Sequence, residues 1–100
     1  MIRMGGIVVD ERKLEEICRR WRVAELSLFG SVARGEAGPD SDVDLLYAFE
    51  PDALVGWEIV ELEDELSELF GRRVDLVSKR YLHPLIREDV LATARVLYAA

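Results

Sequence analysis

The chain has 100 residues, of which 50% are hydrophobic and 33% charged, and carries a formal net charge of −7. That balance describes a globular chain rather than a disordered one, and the length fits one domain over 1–100 with enough surface to bury for a core without staples. The negative sign argues against direct nucleic-acid binding, whose affinity rests on Lys and Arg neutralising phosphates.

No apolar run approaches the roughly 20 residues needed to cross a bilayer, so no membrane association is expected. Residues 6–9 (GIVV) form an apolar run too short for a secretory signal. One cysteine, Cys18, has no partner for an internal disulfide, and a cytoplasmic setting is expected.

In chain order, Leu14, Ile17, Cys18 and Trp21 recur at helical spacing, which predicts a helix over 10–21 with Asp10 as its cap. Ala24, Leu26 and Leu28 alternate with Glu25 and Ser27, the period of a strand. That strand runs into Gly30-Ser31, where a short helix over 31–37 is expected, and Gly35, Gly38 and Pro39 mark a loop. VDLLYAF (43–49) predicts a second strand, ended by Pro51 and Asp52. Ile59, Leu62, Leu66, Leu69 and Phe70 form an apolar stripe on a helix within 57–70. Its other face is acidic and solvated, and Gly71 stops it.

A third strand is expected over 74–77. Pro84 then opens a closing helix that turns Leu85, Ile86, Val90, Leu91, Ala94 and Leu97 inward. The order helix, strand, short helix, strand, helix, strand, helix predicts an α/β (α+β) fold: a small mixed β-sheet of three to four strands covered by helices.

The chemistry concentrates in LFGSVARGEAGPDSDVDLL, residues 28–46. A glycine where a strand turns into a helix lets the backbone come close to a ligand. The N–H groups that follow, with the Ser31 hydroxyl, suit phosphate oxygens. Asp42 and Asp44 lie two apart on a strand, so they share a face with Cα atoms about 6–7 Å apart. Carboxylates so placed can share cations, and magnesium takes hard oxygen ligands plus substrate phosphates. Taken alone, the pair better describes the polar face of an edge strand.

The combination sharpens this. Gly30 and Ser31 precede Asp42 by twelve and eleven residues, and a third acid, Asp75, interrupts the apolar strand RRVDLVS. A half-buried carboxylate wants a partner or a metal. Three acids on neighbouring strands beside a phosphate cradle fit two-metal phosphoryl transfer, with ions about 3.5–4 Å apart.

The ungapped pattern G-S-x-A-R-G-x-x-x-x-x-S-D-x-D-L over residues 30–45, with the separate Asp75, resembles the minimal nucleotidyltransferases, a branch of the DNA polymerase beta-like superfamily. The resemblance covers most of the chain, including a closing helix started by Pro84 and ended by Leu97-Tyr98. Residues 78–83 (SKRYLH) are more basic than it leads one to expect.

The resemblance implies the polymerase beta-like nucleotidyltransferase fold, two Mg2+ ions and ATP as substrate. Gly30 and Ser31 would hold the β- and γ-phosphates, Asp42 and Asp44 both metals, and Asp75 would complete the catalytic metal site and take the acceptor's proton. Arg34 would lie near the phosphates or make a structural salt bridge, and Ser41 would brace the turn that presents Asp42.

Minimal nucleotidyltransferases of this type resemble the antitoxins of HEPN/MNT toxin–antitoxin pairs, which implies AMP transfer to a tyrosine hydroxyl of a HEPN-domain ribonuclease toxin. Such a chain would form a homodimer or a hetero-oligomer with the toxin. Two alternatives stand: an antitoxin that acts by binding alone, and a nucleotidyltransferase with a small-molecule acceptor. Lys79 and Arg80, just after the third strand, are candidates for contacting triphosphate or partner. His83 is expected to cap a helix, Cys18 to lie in the core, and Trp21 and Trp57 to anchor packing.

Overall fold

The computed structural model describes residues 1–4, 6–36, 38, 41–53 and 55–100. Ala37, where the short helix was expected to end, and Pro39 of the loop signal lie outside the described residues.

The chain opens with a hairpin absent from the sequence expectation: β1 (Ile2–Met4) pairs antiparallel with β2 (Ile7–Val9). Ile7 and Val9 are buried and Val8 is half exposed, which is strand alternation on a piece too short for periodicity to register.

Helix α1 (Glu11–Arg20) starts where expected. The Asp10 carboxylate accepts from the backbone N–H groups of Arg12 and Lys13, satisfying donors that the first turn leaves free. Leu14 and Cys18 point into the core, and Trp21 packs against it while its indole N–H donates to Glu65.

Strand β3 (Val23–Phe29) leads directly into the four-residue helix α2 (Gly30–Ala33). Strand β4 (Val43–Phe49) lies beside it, followed by α3 (Ile59–Phe70), β5 (Val74–Ser78), α4 (Pro84–Thr93) and β6 (Arg95–Ala99). The main sheet has the order β5-β4-β3-β6, with β4–β5 parallel and β3 antiparallel to both β4 and β6. Leu62, Leu66 and Phe70 press α3 into the cluster formed by Val43, Leu45, Val74, Leu26 and Leu28, with Leu14 and Cys18 of α1 beside them. Gly71 closes α3 at φ 67°, a left-handed cap that costs glycine little.

The C-terminus departs from expectation. The closing helix stops at Thr93, Ala94 turns extended, and Leu97 and Tyr98 belong to β6. Without β6, the outer edge of β3 would leave its backbone groups unpaired; register pairs such as Leu26↔Tyr98 fill it. The apolar residues of α4 do not turn inward either. No residue of α4 is buried, and Leu85 is 84% exposed. Nor does Trp57 anchor packing: it stands ahead of α3, 93% exposed. His83 does cap α4, its Nδ1 accepting from the Leu85 N–H at 3.1 Å. No helix among the described residues is long and apolar enough to cross a membrane.

Two outcomes follow from this packing. Leu66→Ala, at a fully buried site, lowers unfolding free energy by about 2–5 kcal/mol in urea denaturation, whereas Val60→Ala at a half-exposed position changes it by less than about 0.5 kcal/mol. Burial, helped by the Glu15 charge, pushes the Cys18 thiol up from 9.0 to about 12. The buried neutral thiol therefore supports the fold fully below pH 9.0, and that support fades as pH rises towards 12. Native Cys18 should resist iodoacetamide in mildly alkaline buffer and react promptly once denaturant is added, as read by mass spectrometry.

Candidate active site

Antiparallel register sets Phe29 opposite Asp44, and parallel register sets Asp44 opposite Asp75. The end of β3, the start of β4 and the start of β5 therefore meet at one edge of the sheet. Asp42 stands one residue before β4, on the same side of the chain as Asp44 by the two-residue period. All three carboxylates are half-buried.

Gly30 owes its identity to this meeting. Its φ is +76°, and a Cβ there would fall inside the van der Waals shell of Asp44 Oδ2, 3.2 Å from Asp44 Cγ. The close approach expected of this glycine is thus first an approach to a carboxylate. Ser31 follows, half-buried, its carbonyl accepting from the Glu36 N–H at 2.9 Å to close the turn after α2.

The electrostatics are those of crowded like charge. Burial pushes the Asp44 carboxyl above its ordinary range, and the Asp75 and Asp42 charges push in the same direction, against a smaller opposing pull from Arg34. Glu63 on α3 is raised too, by burial and then by Asp75. Arg73 Nε stands 3.9 Å from Asp42 Oδ2, the arginine side chain largely open to solvent and that of Asp42 less so.

Ser41 is held from two directions. Its Oγ accepts from the Gly38 N–H at 3.0 Å, and the Arg72 guanidinium donates to the Ser41 carbonyl (2.6 and 3.1 Å) and to the Gly38 carbonyl (2.8 Å). Arg72 thereby ties the turn before Asp42 to the segment before Asp75. Neither Arg72 nor Arg73 belongs to the residues expected at the site; their only signal in the sequence is that they stand as a pair directly ahead of the third strand.

Arg34 is exposed and pairs with Glu36 at 3.2 Å. Lys79 lies at the other end of β5 from Asp75, its Nζ 3.1 Å from both Glu25 carboxylate oxygens, and so does not join this cluster. Arg80 stacks on Tyr81 at 5.6 Å.

Among the described residues, no three Asp, Glu, His or Cys side chains are so placed that they could hold a metal ion together. The donor set still fits magnesium. That ion is commonly held by one or two carboxylates and completes its octahedron with water and substrate phosphates. A cation beside Asp44 would also relieve the push that Asp75 and Asp42 add to that of burial.

A family model, the nucleotidyltransferase domain, matches residues 11–97. The protein adenylyltransferase MntA of Thermococcus cleftensis is 47% identical over 79 residues, covering 77% of each chain. A Methanocaldococcus jannaschii chain with a provisional protein adenylyltransferase name is 40% identical over 88 residues, covering 80% of this chain and 87% of its own.

Among solved structures, a minimal nucleotidyltransferase superposes with TM-score 0.69 at 44% identity, covering 84% of this chain and 85% of that one. A toxin–antitoxin complex with AMP-PNP superposes with TM-score 0.72 at 24% identity, covering 92% and 75%. The Shewanella oneidensis complex of a tri-AMPylated HEPN toxin with an MNT antitoxin gives 0.63 at 23% identity, covering 90% and 70%. At those identities the two complexes speak to the fold alone.

Gly30→Ala forces a methyl group against Asp44 at a positive φ, and we expect it to cost about 1–3 kcal/mol of stability in chemical denaturation. Gly6→Ala, also at positive φ but with open space around the added Cβ, isolates the backbone share of that loss.

Proposed function

Because the chain belongs to the nucleotidyltransferase domain family, we propose that it transfers AMP from magnesium-bound ATP to a tyrosine hydroxyl of a HEPN-type ribonuclease partner, and so serves as the antitoxin of the pair. Its being a nucleotidyltransferase follows from the family. The acceptor, the partner and the metal are the proposal. The observation that carries it is the meeting of Gly30, at the tip of β3, with Asp44 and Asp75 on the two strands beside it, the Asp44 carboxyl being raised by burial and then by its acidic neighbours. An antitoxin that acted only by occupancy would have no use for so costly an arrangement.

In this reading Gly30 and Ser31 receive the β- and γ-phosphates, and Arg34 stands close enough to add positive charge beside them. Asp42, Asp44 and Asp75 would hold magnesium, which when bound neutralises the phosphates and lowers the barrier to ionising the attacking hydroxyl. A free tyrosine ionises near pH 10, so the phenol must lose its proton with help. The Asp75 carboxylate would take it as the phenol oxygen bonds to the α-phosphorus and the bond to pyrophosphate breaks. Ser41 and Arg72 keep Asp42 in place by bracing the turn ahead of it.

The adenylyltransferase name of the Thermococcus cleftensis relative supports AMP transfer to a protein acceptor, and the fold shared with an MNT antitoxin bound to an AMPylated HEPN toxin agrees with such a partner. The acidic outer face of α3, carrying Glu61, Asp64 and Glu68, fits an ordinary solvated surface.

Incubation of the chain with a co-expressed HEPN partner, ATP and magnesium should add AMP-sized mass increments to the partner. Asp44→Ala should lower the rate by at least about 100-fold with the fold intact, since metal-borne charge stabilisation is worth several kcal/mol. Chelation of magnesium should stop the reaction likewise. Retained transfer by Asp44→Ala would overturn the metal assignment, and an unmodified but tightly bound partner would overturn the transfer itself.

A further inference from the structure

The basic run at residues 78–83, which stands out in the sequence, takes no part in the acidic site. It forms the turn that joins β5 to α4, and its contacts hold it in place. The Lys79 N–H donates to the Tyr47 carbonyl at 2.9 Å, and the Tyr81 N–H to the Ser78 carbonyl at 3.2 Å. The Lys79 ammonium is 3.1 Å from the Glu25 carboxylate, and the Arg87 guanidinium donates to the Lys79 carbonyl at 3.2 Å. Leu82 is buried on the inner side of the turn. Between these anchors Tyr81 stands 78% exposed, with the Arg80 guanidinium 5.6 Å from its ring centroid. The other two tyrosines, Tyr47 and Tyr98, pack against the core.

We propose that Tyr81 is itself an acceptor, and that one copy of the chain adenylylates the Tyr81 hydroxyl of a second copy. The inference rests on the reading of the chain as a transferase of AMP to tyrosine hydroxyls, and it adds a substrate to that reading. In the step, the Tyr81 oxygen of one copy bonds to the α-phosphorus of ATP held by the other. The bond to the pyrophosphate oxygen breaks, pyrophosphate leaves, and the phenol proton passes to a carboxylate of the site and on to solvent. A copy's own site is out of reach of its own Tyr81. Asp75 and Ser78 are about 10 Å apart along β5, and the turn carries Tyr81 past the far end of that strand.

Charge favours this meeting. The site gathers Asp42, Asp44 and Asp75, with Glu63 near enough to Asp75 to feel its charge. The turn carries two cations. Lys79 is committed to Glu25, which leaves the exposed Arg80 to face the acids or the phosphates of the second copy. In a chain of net charge −7, a basic tip is the surface by which one copy approaches another copy's acids with least repulsion. The phosphodiester formed on Tyr81 then lies beside the same guanidinium, which pairs with it.

The test is incubation of the purified chain alone with ATP and magnesium, read by intact mass and by peptide mapping. An AMP-sized increment should appear on the peptide carrying Tyr81, at a rate per chain that rises with chain concentration. Tyr81→Phe keeps the ring and should remove the increment, while transfer to a HEPN partner continues at the wild-type rate. Asp44→Ala alone should stay unmodified. Mixed with Tyr81→Phe, the Asp44→Ala chain should gain the increment, because each variant supplies what the other lacks.

Increments that persist in Tyr81→Phe, or that map to another residue, overturn the inference, as does a mixture that stays unmodified. If the chain remains unmodified while a HEPN partner gains AMP, Tyr81 is not an acceptor and the transferase reading stands. If neither the chain nor the partner gains AMP, the transferase reading falls and the self-acceptor with it.

Discussion

Strand β3 ends by bringing the backbone of Gly30 against the Asp44 carboxylate so closely that no side chain fits between them. Much else answers to that contact. It requires a residue with no Cβ at a positive φ, it sets α2 at the tip of β3, and it depends on the register that puts Phe29 opposite Asp44. A slip of one residue would send Asp44 to the helix-covered face and Val43 or Leu45 to the open one, breaking the core and the site together. The core cluster of Val43, Leu45, Leu62, Leu66 and Val74 therefore holds the register of the candidate site as well as the fold.

The second constraint is charge. Asp42, Asp44 and Asp75 come together within a chain already carrying −7, and the folded state bears their repulsion. The nearby cations are placed at the margin. Arg73 sits 3.9 Å from Asp42 and Arg34 pairs with Glu36, while Arg72 is committed to backbone carbonyls. None is buried against the acids in a pair that would neutralise them. Under the proposed function, that leaves the carboxylates free for a metal–nucleotide complex, and it reconciles an acidic domain with an anionic substrate.

The two faces of the sheet divide the labour. Helices α1 and α3 bury their stripes on one side and give the sheet its rigidity. Helix α4, joining β5 to β6, buries none of its residues and stands beside α2. The strand that follows it, β6, completes the edge of β3, so the helix is anchored at both ends by the sheet.

Much of this was legible in the residues. Helical period gave α1 and α3 with their caps, alternation gave β3 to β5, and the glycine, serine and aspartate spacing marked the candidate site; these are local properties, set by neighbours a turn or two away. What the tertiary structure decided was non-local. The β1–β2 hairpin and β6 are short pieces whose state depends on a pairing partner, and Leu97 shows how a residue at helical spacing joins a strand once β3 offers an unpaired edge. The exposure of α4 and of Trp57 depends on what lies across from them, which periodicity does not encode. The roles of Arg72 and of Gly30 against Asp44 were hidden for the same reason: hydrogen bonds and steric contacts between segments that the sequence holds far apart exist only once the strands have taken their register.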